Sequence, residues 1–318
     1  MPGDITVFSG SAHPEFAQKM CDTLRVELSP SRTTRFSNDC LQVQLRANCR
    51  QRDVYIVQPL SPPVQEHLVE LLLMLDAARG ASAAHITAVI PHFAYARSDK
   101  KDAPRISIGA RMVADLLHSA GATRVVTMAL HKPQVHGFFS VPVDHLSAVS
   151  ELARHFSGRD LSNTVVVSAD LGYAKEASQF ARLLDLPVAA GSKQRKADDK
   201  VVVDAIVGDV EGKDVIVLDD EIANAGSIVA LLRVLRQHRV GSVSVASTHG
   251  LFTGPAIDRL DRADLDEIVS TDTVPLAEEK RLPNMVTCSV TGLFAEAVRR
   301  INCGESVSTL FGDESTYG

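Results

Sequence analysis

No apolar run in this 318-residue chain approaches the ~20 residues a membrane-spanning helix needs. The longest lies around Leu71 and Leu75, and the opening MPGDITVFSG has no basic stretch leading into an apolar one. Neither an anchor nor an export signal is therefore expected, and the chain reads as soluble and cytoplasmic. It also lacks a positive excess: 33 basic residues face 39 acidic ones, a formal net charge of -6. That removes the broad positive field of a non-specific nucleic-acid binder, and no basic stripe interleaved with aromatics replaces it. Five cysteines, an odd number without a CxxC pair, exclude a disulfide framework and a thiolate zinc site and fit a reducing compartment. The eleven histidines lack HxxxH and HExxH spacings, so any metal site must be assembled from distant positions.

What remains is ordinary globular composition, 45% hydrophobic and 23% charged, at a length that favours two domains. Short apolar runs rich in β-branched residues recur: ITVFS within the first ten residues, VYIVQ at 54–58, ITAVI at 86–90 and RVVTMAL at 124–130. TVVVS at 164–168, VIVL at 215–218 and SVSVAST at 242–248 continue the series. Helical periodicity fills the gaps. Leu68, Leu71, Leu72 and Leu75 share one face of 66–79, and Ile228, Leu231, Leu232 and Leu235 share one face of 227–238. The alternation predicts an α/β protein with largely parallel sheets covered by helices on both faces. VPVD at 141–144 ends a strand and a helix is expected from about Ser147, so the domains are read as 1–146 and 147–318.

The most informative stretch is DVIVLDDEIANAGSIVALL, 214–232. A buried-type strand delivers Asp219 and Asp220 to its carboxyl end, and the small residues Ala223, Asn224, Ala225, Gly226 and Ser227 lead into a helix. This suits a sugar phosphate, with backbone N–H groups on the phosphate and carboxylates on ring hydroxyls. It is equally a plain strand-to-helix turn capped by Ser227. The run ARSDKKDAPR, 96–105, gathers Arg97, Lys100, Lys101 and Arg105 after a strand, enough charge for a polyphosphate or simply a solvated loop. His131 and Asp170 each follow a strand, where they serve either as magnesium ligands or as ordinary turn residues. Lys193 and Arg195 fall in GSKQRKADDK, which reads as a polar surface loop.

Together these segments resemble the ribose-phosphate pyrophosphokinase (phosphoribosyl pyrophosphate synthetase) family, end to end. The resemblance is carried by FSGSAHPEFAQ, RFSNDCLQVQL, ITAVIPHFAYARSDKKDAPR, LHKPQVHGFFSVPVD, VVSADLG, VIVLDDEIANAGS, STHGLF and AEAVRRINCGESVSTLF. It implies two type I phosphoribosyltransferase-like domains, with the last twenty or so residues packing back on the first, and a homohexamer built from dimers. It also implies transfer of the β,γ-diphosphate of MgATP to the 1-hydroxyl of ribose 5-phosphate, an early step of nucleotide biosynthesis, giving phosphoribosyl diphosphate and AMP. By the same resemblance Phe36, Asn38, Asp39 and Cys40 fall on the adenine side, and Arg97 and Ser98, with Asp99, Lys100 and Lys101, on the ATP phosphates. His131 and Asp170 fall on the Mg2+ ligands, and Lys193 and Arg195 on the catalytic pair. Asp219, Asp220 and 223–227 fall on the ribose-phosphate site.

The chain departs from the family where substrates bind. ANAGS stands for the usual DTGGT, so Ala223 removes a carboxylate and Asn224 replaces a threonine. FSDGE becomes Phe36-Ser37-Asn38-Asp39-Cys40, with both usual carboxylates gone, and Ala129 replaces an aspartate two residues before His131. Lys175 and Glu176 occupy a turn that is usually Gly-rich or Arg-containing. Two readings follow: a diphosphokinase, with the usual or a changed sugar phosphate or nucleotide, or a catalytically weak homologue that binds nucleotide or regulates a partner subunit. Survival of Lys193, Arg195, His131, Asp170, Asp219 and Asp220 favours the enzyme. A phosphoribosyltransferase consuming the diphosphate would share the strand and loop of 214–232 but has no need of ARSDKKDAPR.

Overall fold

The computed structural model describes residues 4–197 and 200–311. The chain forms two compact units: one runs to Ser147 and takes in Thr273–Pro275 and the chain from Val290 onward, and the other comprises Ala148–Asp272 and Leu276–Ser289.

The first unit is built from β1 (Ile5–Ser9), α1 (Pro14–Leu24), β2 (Leu28–Ser29), β3 (Ser31–Arg35), β4 (Leu41–Leu45) and β5 (Asp53–Val57). It continues with α2 (Val64–Gly80), β6 (His85–Ile90), α3 (Gly109–Ala120), β7 (Arg124–Met128) and β8 (Val143–Leu146). The sheet order is β2-β1-β5-β6-β7-β8, every neighbour parallel, while β3 and β4 pair antiparallel as a separate hairpin. Such strands are buried on both faces, which is why they read as unbroken apolar runs. Leu68, Leu71 and Leu75 of α2 are buried against this sheet, with Leu72 at the edge of the stripe.

The second unit contains α4 (Val149–Phe156), β9 (Thr164–Ser168), α5 (Ala174–Leu183), β10 (Val188–Ala197), β11 (Lys200–Val207) and β12 (Asp214–Ile222). After these come α6 (Gly226–Gln237), β13 (Val243–Gly250), α7 (Ala256–Asp261), β14 (Glu267–Thr271) and β15 (Met285–Cys288). The order is β11-β10-β9-β12-β13-β14-β15, parallel apart from the β10–β11 pair. Ile228, Leu231, Leu232 and Leu235 of α6 are all buried, the stripe that periodicity predicts. Each such side chain contributes roughly 1.5–3 kcal/mol on burial. The helix after β15, α8 (Thr291–Cys303), belongs to the first unit, where Phe294 meets Phe16 of α1 edge-on with ring centroids 5.4 Å apart.

The α/β class with mostly parallel sheets flanked by helices holds. The loop expected around GSKQRKADDK does not: Lys193 and Arg195 lie on β10, opposite Val203 and Val201 of β11. The reason is the following VVVDAIV run, whose β-branched residues give the polar segment a strand to pair with. Among the described residues, no helix is long and apolar enough to cross a membrane.

Candidate active site

In open parallel sheets ligands bind beyond the carboxyl ends of the strands, at the point where strand order reverses. In the second sheet that point falls between β9 and β12. Asp170 follows β9, and Asp219 and Asp220 sit near the end of β12, each only 5% exposed. The Asp220 N–H donates to Asp219 Oδ1 at 3.0 Å, which fixes one carboxylate against its own strand. Ser168 Oγ donates to the Asp170 carbonyl at 2.5 Å and holds the turn in which Asp170 begins a short 3-10 helix. That helix ends at Tyr173, whose phenol burial pushes up, with Asp220, Glu176 and Asp219 adding to the rise and the Thr248 hydroxyl opposing it. Tyr173 is thus a neutral hydroxyl beside the paired carboxylates.

Residues 223–227 make the turn from β12 into α6. Ala225 adopts a left-handed φ of 59° and precedes the helix as its N-cap residue. The capping oxygen is not Ser227, which already lies inside the helix; Asn224 Oδ1 accepts from the Gly226 N–H at 2.9 Å. Ala223 O accepts from Thr253 N and Asn224 O from Arg259 Nη1, both at 2.8 Å, so the turn is braced from the far side. A Cβ on Gly226 would lie 3.0 Å from Asn224 Oδ1, so glycine keeps that approach open. The arrangement combines a helix N-terminus, which favours anions, with buried carboxylates that accept from hydroxyls.

In the first unit the order reverses between β1 and β5, and that crevice is filled. Glu70, 1% exposed, accepts from Ser11 N at 3.0 Å, Ser11 Oγ at 2.6 Å, Gln58 Nε2 at 2.7 Å and Thr33 Oγ1 at 2.5 Å. A Cβ on Gly10 would overlap Gln58, so the chain closes tightly there. The predicted residues stand instead beyond β6 and β7. Arg97 ends a short 3-10 helix and, like Lys100 and Lys101, is exposed, with Lys100 3.2 Å from Asp102. Ser98 is committed to the fold: its Oγ accepts from Gly109 N at 2.9 Å and so starts α3, while Asp99 beside it is half-buried.

His131 follows β7 in a turn whose geometry His145 sets. His145 Nε2 accepts from Leu130 N at 2.8 Å, which requires that nitrogen unprotonated. Burial, aided by His136, lowers the His145 pKa to about 4. Ala129, in the same turn, holds φ at 45°, a conformation an aspartate or asparagine tolerates better than alanine.

Residues 36–40 cap the β3–β4 hairpin and present Phe36, 47% exposed. Asp39 takes φ at 70° and its carboxylate pairs with Arg35. The Cys40 N–H donates to Asn38 Oδ1 at 3.2 Å, so Asn38 closes the turn. The side chains of Lys193 and Arg195 lie outside the described ones. Tyr173, His145 and Arg259 escaped the sequence reading; each matters through a partner that only the fold brings near.

Among the described residues no group of three or more His, Cys, Asp or Glu forms a metal cage. A hard cation that keeps its waters and rides on substrate phosphates needs only one or two protein ligands, and the donor chemistry of His131 in the first unit, like that of Asp170 in the second, fits such a role.

Residues 5–121 match the model of the N-terminal domain of ribose phosphate pyrophosphokinase, and residues 194–312 match the phosphoribosyl synthetase-associated domain. A Streptomyces coelicolor protein, provisionally named a ribose-phosphate pyrophosphokinase, is 61% identical over 97% of this chain and 98% of its own. The ribose-phosphate pyrophosphokinase of Deinococcus radiodurans is 49% identical over 96% of this chain and 98% of its own. The crystal structure of phosphoribosylpyrophosphate synthetase from Mycobacterium smegmatis superposes with a TM-score of 0.89 at 36% identity, covering 94% of this chain and 99% of that one.

Proposed function

The chain belongs to the ribose-phosphate pyrophosphokinase family, and from that premise we propose how its residues carry the reaction. The reaction is transfer of the β,γ-diphosphate of ATP to the 1-hydroxyl of ribose 5-phosphate, leaving AMP. The observation that carries the assignment is the buried Asp219–Asp220 pair at the end of β12, feeding a turn of small residues into α6.

The N-terminal N–H groups of α6, within 223–227, hold the 5-phosphate, and Asp219 and Asp220 accept from the ribose hydroxyls. Phe36 offers its exposed ring to the adenine, with Asn38, Asp39 and Cys40 around it. Arg97, Lys100 and Lys101 meet the nucleotide phosphates, and Ser98 and Asp99 shape that turn. Lys193 and Arg195 on β10 stabilise the charge that spreads over the diphosphate as it leaves ATP. His131 and Asp170 are the magnesium ligands, and magnesium supplies neutralisation of phosphate charge. The chain works as a homohexamer built from dimers in the cytoplasm, a location supported by five uncrosslinked cysteines. The two phosphoribosyltransferase-like domains correspond to 1–146 and 147–318, with the C-terminal stretch returned to the first.

The specific departures favour a second reading beside the first. Ala223 removes a carboxylate and Asn224 spends its side chain on the Gly226 N–H that a phosphate would otherwise take. Each lost charge-assisted hydrogen bond is worth roughly 1.5–3 kcal/mol, ten- to a hundredfold in affinity or rate. A chain so altered is a slow diphosphokinase or a regulatory partner.

Nucleotide products separate the possibilities. With magnesium and ATP, AMP forms only when ribose 5-phosphate is added. Formation of ADP instead, or AMP at the same rate without the sugar, contradicts the assignment.

A further inference from the structure

The hairpin of β3 and β4 stands apart from the six-stranded sheet of the first unit. Two strands alone are marginal in water, so the hairpin depends on what it is seated against. Residues directly opposite in an antiparallel pair share a face: Ser31 stands across from Leu45, Thr33 from Val43 and Arg35 from Leu41. Val43 and Leu45 pack against the core of the first unit, which makes this the inner face. Apolar packing is non-directional and does not by itself fix the tilt of a hairpin. The polar half of the same face supplies direction. Ser31 Oγ donates to Ser9 O at the end of β1 at 3.0 Å, Thr33 Oγ1 donates to Glu70 Oε1 at 2.5 Å, and Arg35 pairs with Glu66, one turn before Glu70 on α2. The Arg35–Glu66 pair is exposed and screened by water, so it contributes little. Glu70 is buried and has no cation partner among the described residues. Its Oε2 accepts from Ser11 N, Ser11 Oγ and Gln58 Nε2, and Gln58 is oriented in turn by the Ala12 N–H, which donates to its Oε1 at 3.0 Å. Its Oε1 has Thr33 as its one donor among the described residues. A buried carboxylate oxygen without a donor is costly, so the network is complete only with the hairpin seated.

We infer that Glu70 is a positioning residue for nucleotide binding: through Thr33 it fixes the tilt of the β3–β4 hairpin, and so the place of Phe36 and of 38–40 at its tip. The crevice of the first sheet thus serves as the socket of a recognition arm instead of as a ligand site. Thr33 lies three residues before Phe36 on the same strand and its extension, so a change of tilt at Thr33 is carried directly to the exposed ring. The nucleotide role rests on the assignment of 36–40 to the adenine; the seating of the hairpin by Glu70 does not.

Replacing Glu70 itself would turn its neighbours' donors onto an amide or a void and endanger the fold, so the link is cut from the hairpin side. Thr33→Val removes the hydroxyl at nearly constant shape and leaves Glu70, Ser11 and Gln58 in place, and Thr33→Ser restores the hydroxyl. The full-length parent, both variants and Phe36→Ala are titrated calorimetrically with MgATP and, separately, with ribose 5-phosphate. Thr33→Val is expected to bind MgATP about fivefold more weakly than the parent, with its affinity for ribose 5-phosphate unmoved, and Thr33→Ser to bind both as the parent does. Trypsin is expected to cut after Arg35 faster in Thr33→Val than in Thr33→Ser, because the unseated strand is more accessible. Parent-like MgATP affinity in Thr33→Val, with Phe36→Ala weakened, overturns the inference and leaves the adenine assignment standing. Parent-like affinity in Phe36→Ala and Thr33→Val alike shows that the adenine assignment has failed, and the nucleotide role of Glu70 falls with it. Equal weakening toward both ligands in Thr33→Val, or no recovery in Thr33→Ser, overturns the inference as well, since a general loss of fold and not the position of the hairpin would be the cause.

Discussion

At the scale of single residues, the site is a contest between what the reaction wants and what the local fold has already used. The clearest case is Asn224, whose Oδ1 occupies the Gly226 N–H at the start of α6. Beside it Ala223 offers no side-chain acceptor. Ala223→Asp is expected to raise kcat/KM for ribose 5-phosphate about tenfold, the worth of one regained charge-assisted hydrogen bond. No gain in steady-state kinetics, together with tighter binding of another sugar phosphate, would show a changed substrate instead. Lys193→Ala is expected to lower turnover more than a hundredfold while leaving the thermal midpoint unchanged, because a transition-state clamp is not a folding contact. Unaltered turnover in that variant would remove Lys193 from the mechanism. The residues that announced themselves in sequence, Asp219, Asp220 and 223–227, did so because a strand end and a helix start are adjacent in the chain. Arg259 and Glu70 did not, because their partners lie 35 and up to 59 residues away.

At the scale of elements, the turns after β7 and β12 carry the proposed chemistry, and each is braced from elsewhere. His145 on β8 holds the turn that presents His131 by accepting from Leu130 N. Its pKa is lowered from 6.5 to about 4, so the folded state binds fewer protons than the unfolded chain between those values. Stability is therefore complete above about pH 6.5 and falls as pH drops toward 4, by up to roughly 3 kcal/mol from this group. Denaturant unfolding at pH 7 and pH 5 should show a smaller pH-dependent loss in His145→Gln than in the parent. Equal losses would mean that His145 is not held neutral. Strands β5, β6, β7, β9 and β12 were legible because burial on both faces leaves an apolar run. The β10–β11 pair was not, since GSKQRKA at 191–197 has loop composition and forms a strand only through its partner.

At the scale of the whole molecule, length and alternation announced an α/β chain of two units, and family resemblance gave them a reaction. What composition could not show is that the chain from Val290 onward joins the first unit, where Phe294 packs on Phe16. The central claim is that this chain, despite Ala223, Asn224 and Cys40, moves a diphosphate as one piece. Phosphorus NMR of the purified protein with magnesium, ATP and ribose 5-phosphate tests it most directly. The account predicts AMP and a sugar 1-diphosphate accumulating in equal amounts as ATP disappears. Inorganic phosphate with ADP, or ATP left intact where an active family member consumes it, would contradict it.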